Sequence, residues 1–243
     1  MNPNPDVSAP RVALITGAAG GLGRALVHEF AAQGWRVAAA FHRATTQTET
    51  DSIWPLPLDV TDRARVAAAV REILARWGRL DALINNAGVT ADQLLPQLDD
   101  AAWEKVLAVN LKGAFLCAQA VLRAMLRQRD GHIVNIASFS GRSGARGQAH
   151  YAAAKAGLLG LTAALAREAG SRNVRVNAIL PGVLPTPMTA PLGEKILAGL
   201  AAAITLGRLN SVEEVARFTA FLVTTRNISG QLFQLDSRIA PWT

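Results

Sequence analysis

Residues 11–33 read RVALITGAAGGLGRALVHEFAAQ. A short apolar run, 12–16, meets a glycine-rich turn, 17–23, and the chain continues in an amphipathic helical pattern, 24–33. Glycines allow a tight turn and close approach of the backbone to a phosphate, and the first turn of a helix offers unpaired N–H groups to it. The pattern predicts a dinucleotide cradle, with Gly17, Gly21, Leu22 and Gly23 as cofactor-binding residues. The glycines are spaced more loosely than in GxGxxG. Just downstream, the second apolar run, 36–41, ends in Phe41-His42-Arg43. An NAD site usually carries a carboxylate at this point for the ribose 2′-hydroxyl. Here no carboxylate would repel a 2′-phosphate and a guanidinium can bind it, so His42 and Arg43 favour NADPH over NADH.

Further out, short apolar runs at 54–58, 82–86, 132–137, 174–180 and 231–235 alternate with helical patterns near 21–33, 62–77, 99–128, 150–170, 190–205 and 211–224. Apolar strands without polar alternation belong to a parallel sheet covered on both faces. The expected fold is α/β: a Rossmann-like, doubly wound parallel sheet of about seven strands, with its ligand beyond the carboxyl ends of the strands. Pro55 and Pro57 each remove a backbone donor, which suits the third strand only if it lies at an edge, as the order 3-2-1-4-5-6 requires. The polar connection 44–52 is too short for a crossover helix and reads as a loop. Residues 1–10 read as a loose arm, and 11–243 as one domain.

Half of the 243 residues are apolar and 18% are charged, which excludes a disordered chain, a collagen-like fibre and a disulfide scaffold. Cys117 is the only cysteine and reads as a small buried hydrophobe. His28, His42, His132 and His150 share no metal spacing, so no metal is expected. The start has no secretory pattern, and the uncharged apolar stretch at 196–206 is about half of a ~20-residue bilayer span, so the expected location is cytoplasmic and off the membrane. A net charge of +7 favours an acidic partner. Aromatic residues make up only 5% and no nucleic-acid motif is present, which argues against a nucleic-acid partner.

Tyr151, the only tyrosine, stands four residues before Lys155 in a helical stretch, so the two share a face. A neighbouring ammonium lowers a phenol toward the working range of a general acid. Ser138, at the carboxyl end of the fifth strand, can hydrogen-bond a carbonyl oxygen as it gains charge. Ser140, two residues on, points elsewhere by strand alternation.

Thr16-Gly17-x-x-x-Gly21-x-Gly23, Asp59-Val60, Asn85-Asn86-Ala87-Gly88, Asn110, Ser138, Tyr151-x-x-x-Lys155 and Pro181-Gly182, in this order, resemble the short-chain dehydrogenase/reductase family over residues 11–236. The resemblance implies Asn110, Ser138, Tyr151 and Lys155 as the catalytic set, with Asn110 supporting a water chain through Lys155. It implies Asp59 and Val60 at the adenine, and Asn86, Ala87 and Gly88 at the cofactor floor. Lys155 and Tyr151 would lie at the nicotinamide ribose, and Pro181, Gly182 and Thr186 at the carboxamide. The stretches 85–95, 147–155 and 207–209 resemble the branch of that family that reduces 3-oxoacyl groups on acyl carrier protein. In that branch arginines beside the cleft contact the acidic carrier, and Arg129 and Arg172 occupy the matching positions. After Asp236, Ser237-Arg238 stands where the family usually has two glycines, which leaves open a specialised pathway such as polyene synthesis, or a coenzyme A thioester as substrate. Another ketone or alcohol oxidoreductase of the family, and a non-catalytic dinucleotide sensor, are the alternatives. The small, apolar 150–170 helix predicts a homo-oligomer, and the resemblance a tetramer.

Overall fold

The computed structural model describes residues 9–43 and 47–239. Seven strands form one parallel sheet: β1 (Val12–Thr16), β2 (Arg36–Phe41), β3 (Ile53–Pro57), β4 (Ala82–Asn85), β5 (Gly131–Ile136), β6 (Val174–Leu180) and β7 (Leu232–Gln234). Their order is β3-β2-β1-β4-β5-β6-β7. Around them lie α1 (Gly21–Ala32), α2 (Arg63–Trp77), α3 (Asp100–Leu107), α4 (Gly113–Gln128), α5 (Ser140–Ser143), α6 (Ala149–Ala169), α7 (Gly193–Ala202) and α8 (Val212–Leu222). The strand period of two divides the core between two layers. Val12 and Leu14 of β1 face a cluster with Ile73 of α2 and Val121 and Met125 of α4. Ala13 and Ile15 face the opposite cluster, with Leu26 and Phe30 of α1 and Val215 and Ala220 of α8. Strands buried on both sides need no polar alternation, which is why they read as plain apolar runs.

β3 lies at the edge, as the prolines require, with Pro55 and Pro57 opposite Ala39 and Phe41. Of the 44–52 connection, residues 47–52 contain no helix, and 44–46 lie outside the described residues, as do residues 1–8 of the arm expected at 1–10. The helix expected over 99–128 is divided: between α3 and α4 the backbone takes a π turn over Ala108–Lys112, centred on Asn110. Although 100–128 has the length and composition of a membrane span, Val106, Leu116, Cys117 and Met125 pack in the core. The helix near 190–205 is shorter than expected, with a 3-10 turn at Ala190–Leu192 before α7. The short α5 has too little periodicity to read from sequence.

Candidate active site

The carboxyl edge of the sheet gathers the cradle. Gly17 turns at φ +66°, and a side chain there would stand 2.8 Å from the Ala87 backbone. A Cβ on Gly23 would collide with the Gly17 carbonyl, and one on Gly21 would reach the Thr186 side chain at 2.8 Å. The glycines therefore let three segments meet. α2, α3 and α8 have their first N–H groups capped by Asp62, Asp99 and Ser211. α1 is preceded by Gly20 and has no side-chain cap, so its orphan donors stay open to an anion.

Asn86 and Ala87 brace this cradle. Both backbone N–H groups donate to Thr16 Oγ1 at 3.0 Å, and Asn86 Nδ2 donates to the Thr16 carbonyl at 2.9 Å. These bonds hold the loop after β4 against β1. His42 and Arg43 are exposed at the end of β2, and His42 Nε2 lies 3.5 Å from Asp59 Oδ2. Burial raises the Asp59 carboxyl, but hydrogen bonds from Thr61 and the nearby His42 prevail and hold it below its ordinary value. Val60, next to Asp59, is buried with its side chain against Gly113.

β5 and α6 meet in the catalytic group. Ser138 follows β5, and its hydroxyl lies close enough to the Tyr151 phenol to favour the phenolate. Lys155, one helical turn on, lies with its ammonium 5.5 Å from the Tyr151 ring centre and donates to the Ile136 carbonyl at 2.7 Å. Gly88 presses close enough that a Cβ would lie 3.3 Å from Asn110 Oδ1 and 3.8 Å from Lys155 Nζ. Asn110 is itself buried and binds both the N–H and the carbonyl of Val89, at 2.8 and 2.9 Å. The π turn thus aims an amide at the loop after β4.

Two sequence expectations are corrected. The phenol of Tyr151 is raised above its ordinary value, because burial outweighs the Ser138 hydrogen bond and the Asp92 carboxylate adds to the rise. Lys155 is itself buried, which costs the ammonium its charge and pulls it down to about 8. Arg129 and Arg172 do not lie beside this chain's cleft. They precede β5 and β6, at the end of the sheet opposite Ser138, where Asn173 Nδ2 ties their turns by donating to the Arg129 carbonyl at 3.0 Å.

Other residues reach the site unannounced. Gln148 Nε2 donates to Asp92 Oδ2 at 2.9 Å, and Gln148 Oε1 accepts from the Ser140 hydroxyl at 3.1 Å. No local spacing links residues 92 and 148, so only the fold could show this. Gly182 turns at φ +79° against Asp236, and Pro181 accepts from Asn210. Arg238 covers the Phe139 ring at 3.9 Å and pairs with Asp236 at 3.4 Å, so the departure from the glycine pair abuts the residue after Ser138. Among the described residues no cluster could hold a metal.

A glycine cradle beneath an uncapped helix, next to a paired serine and tyrosine with a buried lysine, defines a dinucleotide-dependent oxidoreductase of the doubly wound class. The family model for short chain dehydrogenase matches residues 11–197. Curated relatives include the 3-oxoacyl-[acyl-carrier-protein] reductase FabG of Thermotoga maritima, 40% identical over 93% of this chain and 96% of that protein. FabG of Escherichia coli is 40% identical over 88% and 90%, and FabG of Staphylococcus aureus 36% over 92% and 96%. Among solved structures, "ElxO with NADP Bound" superposes with a TM-score of 0.88 at 27% identity, covering 94% of this chain and 98% of that one. "Crystal structure of gox2181" gives 0.89 at 32%, covering 94% and 95%. The chain belongs to the short-chain dehydrogenase/reductase family and is an NAD(P)-dependent oxidoreductase.

Proposed function

We propose that the protein reduces 3-oxoacyl thioesters, carried on acyl carrier protein, to 3-hydroxyacyl thioesters with NADPH. One observation carries the chemistry: the Tyr151 phenol, Lys155 and Ser138 meet at the carboxyl end of β5, beside the glycine cradle. The substrate class rests on the reductases 36–40% identical over most of the chain.

The cradle fits a dinucleotide because a Cβ at Gly17, Gly21 or Gly88 would fill the space between its walls. Gly17, Gly21, Leu22 and Gly23 with the open start of α1 would hold its phosphates, His42, Arg43, Asp59 and Val60 the adenosine end, and Asn86, Ala87, Gly88, Pro181, Gly182 and Thr186 the nicotinamide end. A bound nicotinamide supplies the hydride that adds to the ketone carbon. Ser138 donates a hydrogen bond to the ketone oxygen. Tyr151 delivers its proton to that oxygen as the C–O bond becomes a hydroxyl, and its burial keeps the proton on until then. The Lys155 ammonium steadies the phenolate left behind. Asn110 holds the loop after β4, and Lys155 would also bind the nicotinamide ribose. A cytoplasmic location accords with this reading.

Arg129 and Arg172 would meet the acidic carrier at the far end of the sheet, so the carrier would serve the cleft of a neighbouring copy. Exposed Ala153, Ala156, Gly160 and Ala163 on α6 offer a small-residue face for such assembly. The test offers an acetoacetyl group on the carrier and on coenzyme A. Faster turnover of the carrier-bound group supports the reading, and activity on coenzyme A alone overturns the carrier.

A further inference from the structure

A continuous hydrogen-bond chain enters the catalytic group from outside it. Asp92, exposed on the loop after β4, accepts from the Thr90 hydroxyl and from Gln148 Nε2. The Ser140 hydroxyl donates to Gln148 Oε1, and the Ser140 N–H donates to Ser138 Oγ at 3.2 Å, which brings the chain to the serine beside Tyr151. A carboxylate only accepts, so Asp92 fixes which end of the Gln148 amide faces it, and that turns the amide oxygen toward Ser140. The Ser140 N–H then fills one lone pair of Ser138 Oγ, leaving its proton for an oxygen. The Gln93 N–H donates to the Gly147 carbonyl at 2.9 Å and locks the same two loops together.

We propose that Asp92 is a positioning residue for proton delivery: through Gln148 and Ser140 it orients the Ser138 hydroxyl. The proposal rests on Tyr151 as the proton donor and not on the identity of the acyl substrate. The Asp92 carboxylate also bears on the phenol directly, since a nearby negative charge disfavours a phenolate and raises Tyr151. Lys155 on the same helix and Asp92 from the facing loop are the charged groups around it. Neighbouring His150 is turned to the Ala91 carbonyl at 3.0 Å, Arg142 and Arg146 are exposed on the 140–148 segment, and Arg238 lies over Phe139.

Because Tyr151 is the only tyrosine, tyrosinate absorbance reports this one phenol with no substrate present. In a pH titration, Asp92→Asn should ionise at lower pH than wild type, the gap narrowing as salt screens the exposed charge. Asp92→Glu should restore the wild-type midpoint, and Tyr151→Phe should show no transition. Gln148→Leu should lower kcat by about tenfold with KM little changed, whichever ketone the enzyme accepts. Asp92→Ser gives a second measure of the lost charge if Asp92→Asn does not fold. An unchanged midpoint in the folded charge-removing variant, or wild-type kcat in Gln148→Leu, overturns the proposal. Inactivity toward acyl thioesters alongside a shifted midpoint would instead refute only the substrate.

Discussion

Lys155 combines two opposed roles in one side chain. Its ammonium is buried and pulled down to about 8, so the folded chain releases this proton more readily than the unfolded one. The sign is that of a depressed lysine: the unfolded chain binds more protons between about pH 8 and 10.4, so this group's contribution to stability rises with pH across that window. Below it, holding the charge inside costs stability. Lys155→Met should therefore raise stability at neutral pH by about 1–3 kcal/mol in chemical denaturation while abolishing turnover. A variant destabilised at pH 7 would show that the bond to Ile136 outweighs the burial. Tyr151 and Lys155 are legible in the sequence by their helical spacing, as is Ser138 by its place after a strand. The direction of the Tyr151 shift was not, because burial is decided by what the fold packs over the phenol.

At the scale of elements, close approach of backbones sets the site. α5 lies so near α6 that a Cβ on Gly141 would stand 2.7 Å from the Ala156 nitrogen and the Lys155 carbonyl carbon. Gly141→Ala should push the Ser138 segment away from Tyr151 and cut kcat by about tenfold or more, with dinucleotide affinity little changed. Gly17→Ala meets both a left-handed φ and the Ala87 backbone. It should cost about 2 kcal/mol or more in thermal or denaturant unfolding and weaken dinucleotide binding as well. An unaltered affinity would argue that the cradle lies elsewhere. The strand runs, the edge place of β3 and the glycine turn followed from local pattern and proline chemistry. The π turn at Asn110 and the short α5 did not, since each depends on contacts with distant segments: Val89 for one, the α6 backbone for the other.

For the whole molecule, charge and assembly carry the predictions. Arg43→Glu should invert a preference for NADPH over NADH in kcat/KM, because the new carboxylate repels a 2′-phosphate and accepts from a 2′-hydroxyl. An unchanged ratio would remove Arg43 from the cofactor site. Light scattering should find an oligomer, and a monomer alone would refute both the α6 face and delivery of the carrier to a neighbouring copy. Arg129 and Arg172 precede β5 and β6, which in a parallel sheet already places them at the amino ends of the strands; what sequence order does not give is how copies of the chain assemble around them. The central claim is that Tyr151 protonates a 3-oxoacyl thioester as NADPH is oxidised. Its most direct test is the initial rate of NADPH oxidation with acetoacetyl-carrier for wild type and Tyr151→Phe, alongside NADPH binding by each. Turnover in the wild type, none in the variant and equal binding in both is the predicted result. Retained turnover in Tyr151→Phe, or none in the wild type, would contradict it.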